Sequence, residues 1–193
     1  DLSHMEQTDF EVVILTGGAS RRMGVDKSSL IVDGARLIEK LIRELTPLGC
    51  PITVLGRKPE SGVKFLADAA EFSGPLASLR AFHPSQDFVF VLSCDVVRFC
   101  GNIVAKFRDS MLSSDAAIPF LNGFDQPLCA LYSASAFSVL RANPDLVRVK
   151  DWTSHLSVRR LGEDDLMAIG IHPLATQGAN TIEEFQRLIA AEF

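Results

Sequence analysis

Phe10-Glu11-Val12-Val13-Ile14-Leu15-Thr16-Gly17-Gly18-Ala19-Ser20-Arg21-Arg22-Met23-Gly24-Val25-Asp26-Lys27 joins an apolar run to a glycine-rich, basic loop. A short apolar run closed by turn residues reads as a buried first strand. The paired glycines let main-chain N–H groups approach an anion with no Cβ in the way, and Arg21, Arg22 and Lys27 bring positive charge to the same point. A polyphosphate needs this combination. Spacing excludes two common phosphate loops. A P-loop requires Gly directly before Lys-Ser/Thr, whereas Asp26 precedes Lys27, and residues 17–22 do not supply the dinucleotide fingerprint G-x-G-x-x-G.

Beyond the loop, apolar runs alternate with amphipathic segments, the pattern of a βαβ chain with a largely parallel sheet. The periodicity predicts a helix over residues 37–48 with Leu37, Ile38, Leu41, Ile42 and Leu45 on its inner face. Strands are expected at 51–55, 63–66 and 88–92, with a helix at 75–82. A helix at 103–111, a strand at 116–119 and an apolar segment at 128–132 entering a helix at 134–140 come next. Residues 151–156 read as a short helix, 167–171 as a late strand and 181–191 as a closing helix. Functional residues in such sheets gather at the carboxyl ends of strands.

The chain has 193 residues, enough for one sizeable domain, and nothing in it reads as a linker. Asp1-Leu2-Ser3-His4 reads as residue left by an expression vector, with Met5 as the native start. Apolar residues make up 47% of the composition and no run of about 18 of them occurs, so no membrane span is expected. A net charge of −5 and a pI near 5.4 argue against a nucleic-acid-coating surface and, beside one basic loop, favour a small anionic ligand. Cys50, Cys94, Cys100 and Cys129 lack C-x-x-C spacing and read as buried, reduced thiols of a cytoplasmic protein, with no zinc site.

Several side chains then stand out. Asp95 follows the run at 88–92, placing a carboxylate at a strand mouth, where magnesium is often held by one or two carboxylates with phosphate oxygens and water. An aspartate there also reads as a turn or cap. Gly74-Pro75 opens a helix with exposed N–H groups, an edge suited to a base and ribose and equally an ordinary helix start. Arg57, after the second strand, reads either as a ligand contact or as a solvated loop residue. Thr181 with Glu184 has the form of a helix cap.

Leu15, Gly17, Gly18, Ser20, Arg22, Met23, Gly24, Asp26 and Lys27 stand in register with L-x-G-G-x-S-x-R-M-G-x-D-K, and the stretch resembles the signature of the molybdenum cofactor guanylyltransferase family. Cys94-Asp95 is similar to the family's C-D motif, whose aspartate holds the catalytic magnesium. Asp68 with Gly74-Pro75-Leu76-Ala77-Ser78 resembles an aspartate ahead of G-P-L-A-G, a region that contacts the nucleoside. Residues 126–132 resemble H-P-x-x-A-L, on the side where the second substrate enters, and Asn180-Thr181-Ile182-Glu183-Glu184 resembles N-T-P-E-E. The likeness spans residues 12–188. This chain departs from the pattern at Val96-Val97, where a residue followed by Pro is usual, at Ser78 for Gly, at Gln126 for His, and at Gly178 for the first Asn of N-x-N-T.

The resemblance implies an α/β, single-domain, Rossmann-like nucleotidyltransferase fold over residues 5–193, with a mostly parallel central sheet flanked by helices on both faces. It implies transfer of GMP from GTP to the terminal phosphate of molybdopterin, with release of pyrophosphate. Lys27, Arg22 and Asp95 take the catalytic roles, and Asp95 holds Mg2+. Leu15, Thr16, Gly17, Gly18, Ala19 and Lys27, with Asp68, Gly74, Pro75, Leu76 and Asp95, form the nucleotide site. The implied partners are GTP and molybdopterin, followed by other cofactor-biosynthesis proteins and acceptor molybdoenzymes. A phosphate monoester has a second pKa of about 6 and is already a dianion at neutral pH, so the chemistry requires no histidine base. No Ser-His-Asp set is evident around His83, His155 or His172. Gly17-Gly18 and G-P-L-A favour guanylyl over cytidylyl members, in which the second glycine is Ala. A CTP-using sister enzyme, a sugar-phosphate nucleotidyltransferase and a non-catalytic nucleotide-binding module remain as alternatives.

Overall fold

The computed structural model describes residues 8–16, 30–67 and 74–192. β1 (Phe10–Leu15) is buried along its whole length, as a run apolar but for Glu11 requires. After it come a short hairpin of β2 (Ile31–Val32) and β3 (Ala35–Arg36), then α1 (Leu37–Leu45), β4 (Ile52–Gly56) and β5 (Lys64–Ala67). α2 (Gly74–Ala81), β6 (Phe88–Ser93), α3 (Ile103–Ser110), β7 (Ala116–Leu121) and β8 (Phe124–Asp125) continue the chain. It closes through β9 (Cys129–Ser133), α4 (Ala134–Ala142), α5 (Val149–Thr153), β10 (Val158–Leu161), α6 (Glu163–Ala168) and α7 (Ile182–Ala190).

Among the described residues the main sheet runs β10-β7-β9-β6-β1-β4-β5, with β8 paired to β7. β1 is parallel to β4 and β6, β4 to β5, and β7 to β10. β9 alone on this path is reversed, antiparallel to both β6 and β7. The fold is therefore α/β with a mostly parallel sheet. From β1 the chain steps outward through β4 and β5, then returns to β6 on the other side of β1. The crevice beyond the carboxyl ends of β1 and β6 is thus a topological switch point, the usual place for a ligand in such sheets.

Strand side chains alternate between two cores, as a period of two dictates. Val12, Ile14, Phe90, Leu92 and Leu131 face the layer built by α1, α3, α6 and α7. Val13, Leu15, Val89, Val91 and Tyr132 face the layer built by α2, α4 and α5. All five inner-face residues expected on α1 are buried, and the helix ends in a 3-10 turn over Thr46–Leu48. In the second layer Trp152 of α5 stacks on Tyr132, with ring centroids 4.6 Å apart. Its indole N–H donates to the Ala136 carbonyl at 2.9 Å, so the polar edge of a fully buried ring is satisfied.

One expected element is of the wrong type. Residues 167–171 do not form a strand: α6 occupies Glu163–Ala168 and ends in a turn. Three acidic residues in the first turn favour a helix N-terminus, and the Gly162 N–H donates to the Asp165 carboxylate at 2.9 Å. At the other end Ile171 N–H reaches the Leu166 carbonyl and Gly170 N–H that of Met167, with Gly170 at φ +72°, a Schellman closure. Leu166 and Ile171 are buried while Met167 is exposed, so the apolar stretch is a helix terminus folding back on the core. The cysteines also differ in part from expectation. All four are free thiols, but Cys100 is exposed and Cys50 half-buried.

Candidate functional site

Three strand ends are tied together at the switch point. Thr16, buried just past β1, donates through its hydroxyl to the Leu55 carbonyl at 2.9 Å and accepts the Arg57 N–H at 2.7 Å. Its own N–H also reaches the Leu55 carbonyl, and the Leu15 carbonyl accepts Cys94 N–H at 3.0 Å. The end of β1, through Leu15 and Thr16, is thereby fastened to the ends of both β4 and β6. The Arg57 side chain is exposed, and its backbone N–H completes this junction.

A cavity of about 180 Å³ opens beside it. Ser93, Asp95 and Val96 from the end of β6 form one wall, Gln126 to Cys129 leading into β9 a second, Val149 of α5 a third, and Thr176, Gly178 and Asn180 a fourth. The second wall is braced at both sides. Gln126 N–H donates to Pro119 O, Ser93 N–H to Leu128 O, and the Tyr132 hydroxyl to Pro127 O at 2.7 Å. Burial holds the Tyr132 phenol well above its ordinary pKa, which favours the protonated, donating form. The Cys129 thiol is likewise raised, by burial first and then by the charge of Asp95.

Asp95 is half-buried, with a backbone fixed on both sides. Cys94 and Val96 are buried, and the Asp95 carbonyl accepts Ala179 N–H at 3.0 Å. Val97, where the resembling family carries Pro, packs into the core at 1% exposure. The carboxylate lies against Gly178: a Cβ built on that glycine would stand 2.8 Å from Oδ1 and 3.2 Å from Cγ. Among the described residues no three His, Cys, Asp or Glu side chains converge as a metal cluster. The cavity is instead lined by one carboxylate and by the oxygen-bearing residues Ser93, Gln126 and Asn180, a residue set of hard-oxygen chemistry among the described residues.

Of the remaining expected site residues, Gly74 is the first residue of α2 and takes φ +77°, a conformation that explains glycine there better than space does, since nothing lies within 4 Å of a Cβ. Pro75 follows at the second helical position, and Leu76 is buried in the second core rather than presented to solvent. None of the three lines the cavity. Gln126 and Asn180 do. Gly17, Gly18, Ala19, Arg22 and Lys27, with the signature residues after Leu15, and Asp68 lie outside the described residues. The sequence reading missed Ser93, Val149 and Thr176. Ser93 was discoverable as the last residue of the β6 run, but the other two reach the cavity only through the tertiary fold.

Residues 12–160 match the family of MobA-like NTP transferase domains. The chain is 30% identical to a Bacillus subtilis protein named "Probable molybdenum cofactor guanylyltransferase", over 91% of this chain and 92% of that one. A Pelotomaculum thermopropionicum protein of the same name is 27% identical, over 88% of this chain and 86% of its own length. Among solved structures, molybdopterin-guanine dinucleotide biosynthesis protein A from Archaeoglobus fulgidus superposes with a TM-score of 0.77 at 20% identity, covering 92% of this chain and 96% of that one. At that identity the likeness bears on the fold.

Proposed function

The chain belongs to the MobA-like NTP transferase family, and from that premise we propose that it transfers GMP from GTP to the terminal phosphate of molybdopterin, releasing pyrophosphate. The observation that carries the reading is the position of Asp95. Among the described residues, a single carboxylate sits at the carboxyl end of β6, at the switch point, on the wall of a cavity whose other described lining groups are neutral. That arrangement suits phosphoryl chemistry, in which the protein aligns an already ionised nucleophile and offsets charge.

We assign Lys27 and Arg22 to the charge of the triphosphate, and the backbone N–H groups of Gly17, Gly18 and Ala19 to its oxygens. Leu15 and Thr16 anchor the start of that loop through the hydrogen bonds to β4 and β6. Asp68, Gly74, Pro75 and Leu76 are assigned to the nucleoside side, Leu76 acting from the core by fixing α2. Asp95 would hold Mg2+ together with phosphate oxygens and water. When bound, the ion supplies neutralisation of charge on the transferred and leaving phosphates. Gln126 and Asn180 face the incoming pterin phosphate across the cavity. The attacking monoester is a dianion at neutral pH, and none of His83, His155 and His172 lines the cavity, so these residues leave no proton for a histidine to take.

Pyrophosphate release tests the reading. It is expected only when GTP, molybdopterin and a divalent cation are all present, and to be lost in Asp95→Ala while the circular dichroism spectrum and melting curve stay those of a folded chain. GTP binding without any release under those conditions would make the protein a nucleotide-binding module instead. An active Asp95→Ala protein would remove the metal assignment.

A further inference from the structure

We propose that Gly178 is a positioning residue for the Asp95 carboxylate: the absence of a side chain at 178 sets the direction in which Asp95 presents its oxygens to the cavity. The inference rests on the reading of Asp95 given above and concerns a residue to which that reading assigns no role. A Cβ at 178 would come to 2.8 Å from Oδ1, 3.2 Å from Cγ and 3.5 Å from Oδ2 of Asp95. The first of these is shorter than real Cβ contacts, so something must move.

Neither backbone can give way easily. The segment carrying Gly178 is pinned on both sides, by Ala175 and Thr176 at 4% and 0% exposure and by Ala179 at 1%. Ala179 N–H is bound to the Asp95 carbonyl, and the hydroxyl of Thr176 donates to the Pro173 carbonyl at 2.9 Å. Asp95 itself sits between the buried Cys94 and Val96, with Cys94 N–H held by Leu15. With both backbones held, the crowding of a methyl group at 178 falls on the Asp95 carboxylate and displaces it from its present direction. Oδ1 is the oxygen backed by Gly178, and Oδ2 lies farther from it. The glycine is required here for clearance. It carries no positive φ.

Two measurements test this, one of which uses no metal. In a double-mutant cycle on thermal stability, Gly178→Ala is expected to lower the melting temperature by roughly 1–2 °C in the Asp95 background and to have no such effect in the Asp95→Ala background, where the crowded atoms are gone. Equal loss in both backgrounds would overturn the contact. In the second, Mn2+ titrated into the protein with GTP and followed by electron paramagnetic resonance is expected to bind about 10- to 100-fold more weakly to Gly178→Ala than to the unsubstituted chain. GTP binding measured without divalent cation should be unchanged. Unaltered Mn2+ affinity, or loss of metal-free GTP binding in parallel, would overturn the positioning role. If the unsubstituted chain takes up no Mn2+ with GTP while the stability cycle shows coupling, the metal reading of Asp95 fails and the clearance of its side chain stands.

Discussion

Thr16 does three jobs with one buried side chain and its own N–H, and the physical cost of losing them can be stated. Thr16→Val keeps the shape but deprives the Arg57 N–H of its acceptor and the Leu55 carbonyl of one donor. Leaving a buried polar group without its partner costs about 1–3 kcal/mol. Urea unfolding of Thr16→Val is therefore expected to show a loss in that range at unchanged m-value, and a loss near zero would mean that the junction between β1, β4 and β6 is not held by this hydroxyl. At the same scale, Asp95 was legible in the sequence because an aspartate after an apolar run falls at a strand mouth whatever the rest of the fold does. Gly178 was legible only as a departure from a pattern. Its meaning lies in an approach to a residue 83 positions earlier (178 − 95), which no local spacing encodes.

The elements divide in the same way. α1 was readable because five apolar residues at helical spacing have one place to go, and β1 and β6 because runs buried on both faces tolerate no polar interruption. Glu11 is the exception within β1: at 3% exposure it accepts from Ser85 N–H and O–H and from Gln86 N–H, so a charged residue in a buried strand is matched by a loop that supplies its donors. The end of α6 was misread because Met167-Ala168-Ile169-Gly170-Ile171 is apolar enough for a strand, and the deciding signals are the acidic first turn before it and the left-handed glycine within it. Gly170→Ala should cost about 1–2 kcal/mol, the penalty for a Cβ in that backbone conformation. A melting temperature lowered by roughly 2–4 °C per kcal/mol would follow. An unchanged melting curve would mean that the Schellman closure contributes nothing. Two hairpins were overlooked although their turns were written plainly: Asp33-Gly34 between β2 and β3, and Asn122-Gly123 between β7 and β8, all four residues at positive φ. β10 escaped because Val158-Arg159-Arg160-Leu161 is an edge strand with two arginines in its middle, the exposed Arg160 pairing with Asp125 of β8.

Over the whole molecule, the parallel strands bring residues from distant parts of the chain to one edge, and the reversed β9 carries the second wall of the cavity up to Asp95. The two helical layers meet the site differently. α2 in the second layer is tied to the approach to α5 by Arg80, whose guanidinium donates to the carbonyls of Asn143 and Leu146 at 3.4 and 2.8 Å. The helix assigned to the nucleoside and the segment carrying Val149 into the cavity wall are thus mechanically connected. The sequence resemblance anticipated this architecture and its family, but the base that the protein selects rests on few contacts. One measurement addresses that claim directly: the mass of the dinucleotide formed from molybdopterin in an equimolar mixture of GTP, CTP and ATP with magnesium. The account predicts the guanine form of the cofactor with one pyrophosphate per product. Formation of the cytosine form in its place, or nucleotide consumption with no dinucleotide at all, would contradict it.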